Sequence, residues 1–329
     1  VKKISIHIGL PKTATTYIQK TLSLHNSYFG LESDKEIFSE NLFRIFVKYS
    51  RGESVESHLV YWWHQINDYV DKSYAEFPLV FSSEYFFSGH INGFPEFPFA
   101  PSTSCDERLM IADFLNLMSK VLSPHVSIGV VLTLRNQPEW LASKYAQATP
   151  CILNASQTDF EKRVKYFASL PNKLWCNWGS IVDQIDRAIG KENVLVVCME
   201  DINKDHFWND ISTFCFGLDT SLKFDALSES VNAKKVSDTE WGLRRFRPGS
   251  YFASCMSFIP GTLLYESSRR FDNLLVKSRI IKKSKRRGVI SLSQSVISNC
   301  LLTCGEGNTW LSHRLEKDLA DIGYPIKKR

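Results

Sequence analysis

Ile4, Ile6 and Ile8 alternate with Ser5 and His7 at the start of the chain, and this period of two predicts a short strand. Gly9 and Pro11 interrupt the pattern, and a helix is expected to begin near Thr15. Ser33 to Tyr49 and Val55 to Tyr74 have helical length and spacing, with Trp62, Trp63, Ile66 and Val70 on the buried side. The run PLVFSSEYFF, Pro78 to Phe87, reads as a buried strand ending in a polar tip. Gly and Pro recur at short intervals from Gly89 to Cys105, which marks a long surface loop. A helix is expected from about Glu107 to Val121, and VSIGVVLTL, Val126 to Leu134, is apolar enough for the middle of a parallel sheet. Another helix starts near Pro138, two further helical stretches lead to Asn193, and NVLVVCMED supplies a strand ending at Glu200 and Asp201. From Leu227 onward the pattern predicts mostly helix, a basic run, and two final helices at Ser291 to Thr303 and Thr309 to Ile322.

Strands alternating with helices imply parallel βαβ units, hence an α/β fold with a doubly wound, mainly parallel sheet flanked by helices and a mostly helical C-terminal part. Ligands of such sheets bind beyond the carboxyl ends of the strands. Gly9 to Thr16, Ser82 to Glu84, Arg135 and Glu200 all fall at such ends, so one crevice is expected to collect them. The 329 residues suit a single large domain, with a core over about residues 1–220 and a helical extension over about 227–329.

Composition narrows the classes. Hydrophobic residues at 43% and charged residues at 23% exclude a disordered chain or a low-complexity array. The net charge of +5 favours an anionic ligand, and much of the excess sits in Lys277 to Arg287 and in the Lys327, Lys328, Arg329 tail. No apolar stretch reaches the roughly 18 to 20 residues of a membrane span, so no stable membrane insertion is expected. The 8 cysteines form neither a CxxC pair nor a Cys/His cluster, which supports neither zinc nor a redox motif and leaves buried thiols as the expectation.

The turn after the first strand carries anion-binding chemistry: a helix start with unpaired N–H groups, beside Lys12, Thr13, Thr15 and Thr16. It does not match the nucleotide-binding pattern GxxxxGK[ST]. Counted from Gly9, Ala14 stands at the second glycine and Thr15 at the lysine, while Lys12 comes three places early. A second anion site follows the strand ending at Leu134. Arg135 offers a planar guanidinium suited to bidentate phosphate binding, and the Ser143 hydroxyl, eight residues on, reaches the same anion if the helix packs back over the strand. Two phosphate sites at two strand ends suit a nucleoside with phosphates at both ends.

PKTATT followed by this Arg-x7-Ser element resembles the sulfotransferases that use 3'-phosphoadenosine-5'-phosphosulfate (PAPS). More narrowly, HIGLPKTATT, the SSE at Ser82 to Glu84, RNQPEWLASKYAQ and GKENVLVVCMED are similar to bacterial sulfotransferases whose usual acceptors are carbohydrates. The resemblance covers about residues 1–220. Two departures stand out: Ala14 occupies a place where the family often has glycine, and Pro138 comes one residue later than in the commonest RNP form.

The resemblance implies a P-loop-like fold and PAPS as co-substrate, without a metal, leaving adenosine 3',5'-bisphosphate. It assigns Lys12 to the bridging oxygen of the phosphosulfate, Thr13, Ala14, Thr15 and Thr16 to backbone and hydroxyl donors, and Arg135 and Ser143 to the 3'-phosphate. Glu84 takes the place of the family's glutamate base, with His7 as the rival base and His90 a further histidine near the acceptor. SKRRGVIS resembles an element that folds over the 3'-phosphate, with Arg286 and Arg287 as the contacts. Tyr61 to Trp63 and Tyr85 to Phe99 are the aromatic regions available for stacking on sugar rings, or for core packing. A carbohydrate acceptor is expected and no nucleic acid partner, in a bacterial cytoplasmic enzyme; a luminal enzyme without its anchor is the alternative location. A lipid or small-molecule acceptor, and a family member that binds nucleotide or glycan without catalysis, are the competing readings of function.

Overall fold

The computed structural model describes residues 1–9, 12–23, 28–29, 36–72, 77–82, 86, 108–123, 125–170, 176–217, 235–237, 239–244, 247 and 288–327. The alternating isoleucines form β1 (Lys2–Gly9), which lies at the centre of a five-stranded sheet. Its companions are the two-residue β2 (Tyr28–Phe29), β3 (Leu79–Ser82), β4 (Val126–Leu134) and β5 (Val194–Cys198), in the order β2-β3-β1-β4-β5. Every pairing is parallel. Register sets His7 opposite Ser82 and Gly9 opposite Thr133, so the carboxyl ends of β3, β1 and β4 finish at one level.

Alternation along each strand divides the apolar side chains between two cores. Ile4, Ile6, Ile8, Phe81, Val130 and Leu132 face one core, which takes side chains from α2 (Glu36–Ser50), α3 (Glu56–Lys72), α4 (Met110–Leu122), α5 (Gln137–Ala148), α6 (Gln157–Ser169) and α7 (Trp178–Ile189). Val80, Val131 and Val197 face the other, smaller core, under α1 (Thr15–Leu22) and α8 (Asp205–Phe216). This is an α/β architecture with helices on both faces of a parallel sheet. Trp62 and Trp63 are 1% and 5% exposed and belong to the first core, so the pair mainly packs the interior. Tyr61 is 65% exposed. No helix among the described residues is long and apolar enough to cross a membrane.

The C-terminal part differs from the pattern in two ways. First, β6 (Lys235–Ser237), β7 (Glu240–Leu243) and β8 (Gly288–Ser291) form an antiparallel sheet where mostly helix is expected. Each strand is too short to display a readable alternation, and among the described residues the sheet buries Trp241, Leu243 and Ile290. Second, the two expected terminal helices are one, α9 (Gln294–Leu315). Gly305 and Gly307 suggest a break, yet they lie inside the helix and Gly307 serves a close crossing. A Cβ on Gly307 would stand 1.9 Å from Asn177 Oδ1, and one on Gly179 of α7 would stand 2.3 Å from the Gly307 carbonyl oxygen. Buried Gln137 and Asn308 join the base of α5 to α9 by a reciprocal pair of amide hydrogen bonds at 2.8 and 3.0 Å.

Gly179→Ala should force α7 and α9 apart against backbone rather than a yielding side chain. We expect a loss of about 1 to 3 kcal/mol in urea unfolding, as a lower midpoint at unchanged slope; an unaltered midpoint would show that the crossing tolerates a methyl group.

Candidate functional site

The loop between β1 and α1 lies at the end of the central strand, where the chain's path reverses from the β3 side of the sheet to the β4 side. Ligands of open α/β sheets bind at such a point. Lys12 and Ala14 hold φ of 76° and 59°, and Thr13 between them does not share the left-handed conformation. A left-handed residue beside one of the opposite hand is the backbone pattern from which anion-binding nests are built. A left-handed non-glycine residue is uncommon, so two in three residues mark a loop held in shape by its surroundings. Ala14 takes the conformation glycine adopts freely, and its substitution for glycine therefore leaves this backbone shape intact.

Ala14 also stands at the N-cap of α1 without a side-chain cap, and the first turn carries no acidic residue. Tyr17 and Ile18 N–H groups bond to the Ala14 carbonyl at 2.9 and 3.0 Å, while Thr16 is exposed at the helix start. The dipole and the N–H groups of the first turn thus favour negative charge here. Gly9 is required by the tight return of the chain, since a Cβ there would fall 1.8 Å from Thr15 Cγ2.

Arg135 sits at the end of β4 against this loop. Its Nη1 donates to the Lys12 carbonyl at 3.4 Å, and its Nη2 donates to Glu139 Oε2 at 2.6 Å. The residue is 6% exposed, and Trp178 Nε1 holds its carbonyl at 2.7 Å. Asn136 caps α5, its Oδ1 accepting from the Glu139 N–H at 3.0 Å. Glu200 Oε1 in turn accepts from Asn136 N and Nδ2 at 2.8 and 3.0 Å, and Tyr324 OH donates to Glu200 Oε2 at 3.3 Å. Burial pushes the Glu200 carboxyl above its ordinary range, against the lowering effect of the Asn136 backbone and the Arg135 charge. Ser143, 7% exposed, lies on α5 beyond this cap.

Beneath the loop, His7 is 1% exposed and both ring nitrogens are engaged: Nδ1 with Ser82 Oγ at 2.8 Å and Nε2 with Thr133 Oγ1 at 2.9 Å. Gln19 of α1 donates to the same Ser82 Oγ at 3.0 Å. A neutral imidazole uses one nitrogen as donor and the other as acceptor, and two hydroxyls satisfy either assignment. Burial pushes the His7 pKa down from 6.5 to about 4.

Of the two predicted anion elements, Arg135 lies against the loop that carries Lys12, Thr13, Ala14, Thr15 and Thr16, and Ser143 is on the helix that Arg135 precedes. Glu84, His90, Arg286 and Arg287 lie outside the described residues, as do the whole of the basic run and of the Gly/Pro-rich stretch. Sequence reasoning missed Glu139, whose position four residues after Arg135 on a helix was the available signal. It missed Tyr324 for want of any local signal, because that contact spans 124 positions. Among the described residues no group of His, Cys, Asp and Glu could hold a metal ion. Surface clefts lined by Ser312, His313 and Lys317, and by Lys2, Trp63 and His125, contain none of the sequence-predicted site residues. No family profile, curated protein or solved structure matches the chain.

The His7 shift has a measurable consequence. Below pH 6.5 the unfolded chain takes up a proton that the folded chain accepts only near pH 4, so stability falls as pH falls across that window. At about 1.4 kcal/mol per unit this amounts to about 3 kcal/mol. Urea unfolding of His7→Gln should show a decline between pH 7 and pH 4 smaller than that of the natural protein by about this amount; equal declines would mean that His7 titrates normally in the fold.

Proposed function

We propose that the protein is a PAPS-dependent sulfotransferase acting on a carbohydrate hydroxyl, built on a P-loop-like sheet. The observation that carries this reading is the contact between the two anion elements, with the Arg135 guanidinium reaching the Lys12 carbonyl at the end of the central strand. The strand order supports it, because the loop follows the strand beside the topological switch. The site fits the donor molecule's two anionic ends: an uncapped helix start with a nest for the 5'-phosphosulfate, and a buried guanidinium for the 3'-phosphate.

Bound PAPS supplies the sulfuryl group, which passes to the acceptor oxygen as its bond to the phosphate oxygen breaks, leaving adenosine 3',5'-bisphosphate. In this reading the chain's own residues do the following. The nest and the Thr15 and Thr16 turn hold the phosphosulfate in line with the acceptor. The Lys12 ammonium neutralises the charge that builds on the leaving oxygen, a preorganised electrostatic contribution. Arg135 and Ser143 fix the 3'-phosphate, with Arg286 and Arg287 as added contacts. Glu84 accepts the acceptor's proton. It is preferred to His7 because both His7 nitrogens are already engaged in the sheet and burial disfavours the imidazolium that proton uptake would form. Labelled PAPS presented with a glycan array tests the activity directly, and absence of label transfer to any sugar would remove the carbohydrate assignment.

Two variants test the roles. Adenosine 3',5'-bisphosphate should bind more tightly than 5'-AMP by about 1.5 to 3 kcal/mol in calorimetry, the worth of charge-assisted hydrogen bonds to the extra phosphate. Arg135→Ala should erase most of that difference; equal affinities in the natural protein would sink the donor-site assignment. Glu84→Gln keeps shape but cannot take the proton, so turnover should fall by roughly 100 to 10,000-fold with nucleotide affinity nearly unchanged. Near-normal turnover in that variant would assign the base elsewhere.

A further inference from the structure

Arg135 is a buried cation whose donors are unevenly used. Nη2 meets the Glu139 carboxylate, Nη1 meets the Lys12 carbonyl, and Nε has no hydrogen-bond partner among the described residues although it is enclosed. An enclosed N–H without an acceptor costs free energy, and a buried guanidinium in that state is incompletely served by the groups around it. The Glu139 side chain is more open, at 24% exposure against 8% for the Arg135 side chain. Its backbone is fixed at the third position of α5 by the Asn136 cap.

A carboxylate presents to a guanidinium what a phosphate ester presents: negatively charged oxygens placed to accept N–H bonds. We propose that Glu139 is a specificity-determining residue that stands in for phosphate on Arg135 and yields its place when a phosphate monoester arrives. The inference rests on the assignment of Arg135 to the 3'-phosphate. Two anions on one guanidinium repel each other, so the incoming group must displace Glu139 or bind against its charge. A phosphate dianion holds the cation more strongly than a single carboxylate does, and the exchange favours it. A hydroxyl or a singly charged group does not gain enough to move Glu139. The internal carboxylate thereby keeps a strong anion site closed to weak anions and reserves it for nucleotides carrying a terminal 3'-phosphate.

Calorimetry with adenosine 3',5'-bisphosphate and 5'-AMP tests this. Glu139→Gln should bind the bisphosphate on the order of tenfold more tightly than the natural protein, and 5'-AMP within about twofold of it. Adding Arg135→Ala to that variant should abolish the gain, because it acts through the guanidinium. Glu139→Asp keeps the charge but draws it back by one methylene, and should give an intermediate gain if the Gln variant folds poorly. Unchanged or weakened bisphosphate binding in Glu139→Gln, with the natural protein still preferring the bisphosphate, would overturn the proposal and leave Glu139 merely orienting Arg135. Failure of the underlying assignment looks different: neither the natural protein nor Glu139→Gln would distinguish the bisphosphate from 5'-AMP, and both readings would fall together.

Discussion

A neutral imidazole wedged between two hydroxyls ties together the strand ends on which the candidate site is built. His7 belongs to β1, Ser82 to β3 and Thr133 to β4, so the bonds at 2.8 and 2.9 Å cross-link three neighbouring strands at their carboxyl ends. Gln19 adds the first helix to the same cluster. Each tied strand leads, in sequence, toward a candidate residue: β1 toward Lys12, β3 toward Glu84 and β4 into Arg135. Buried polar groups are costly unless satisfied, and a fully satisfied network rigidifies its surroundings. Rigid strand ends are what two anion elements need if their spacing is to match one ligand.

Four of the five strands of the central sheet were legible from a run of apolar residues, as in VSIGVVLTL, or a strict alternation, as in Ile4 to Ile8, while the two-residue β2 is too short to show either. The start of α1 at Thr15 was legible from the breakers before it. What escaped depended on distant packing. Gly305 and Gly307 read as a break because local propensity penalises glycine, whereas Gly307 lets α9 meet Asn177 and Gly179 closely. The short strands β6 to β8 carry too few residues for a period to emerge, and Val236 and Val289 on them are each 43% exposed.

At the site, the residue types were readable and their mutual arrangement was not. The loop and Arg135 stand out by chemistry, but their contact is made by a backbone carbonyl, which no side-chain pattern encodes. Glu200 was placed correctly at a strand end, and its work proves indirect, since it holds the Asn136 cap rather than facing the loop. Ala14 read as a departure from glycine, and it adopts the left-handed backbone that glycine takes freely. Such strain, of order 1 to 3 kcal/mol per residue, persists only where the surrounding fold dictates the shape.

The Gln137–Asn308 amide pair has a bearing on how the molecule comes into being. These two side chains are 171 positions apart, and Asn308 also donates to the Pro325 carbonyl at 2.9 Å. Gln137 lies two residues beyond Arg135, so the turn that carries the arginine is packed by a segment synthesised long after it. A nascent chain can pair β1 with β4 once the first half has emerged, but that sheet holds an arginine turn whose buried amide neighbour still lacks its partner. The packing of this turn is thus complete only after α9 has been made, and a chain interrupted before α9 would carry both sequence motifs without the packing that steadies the second.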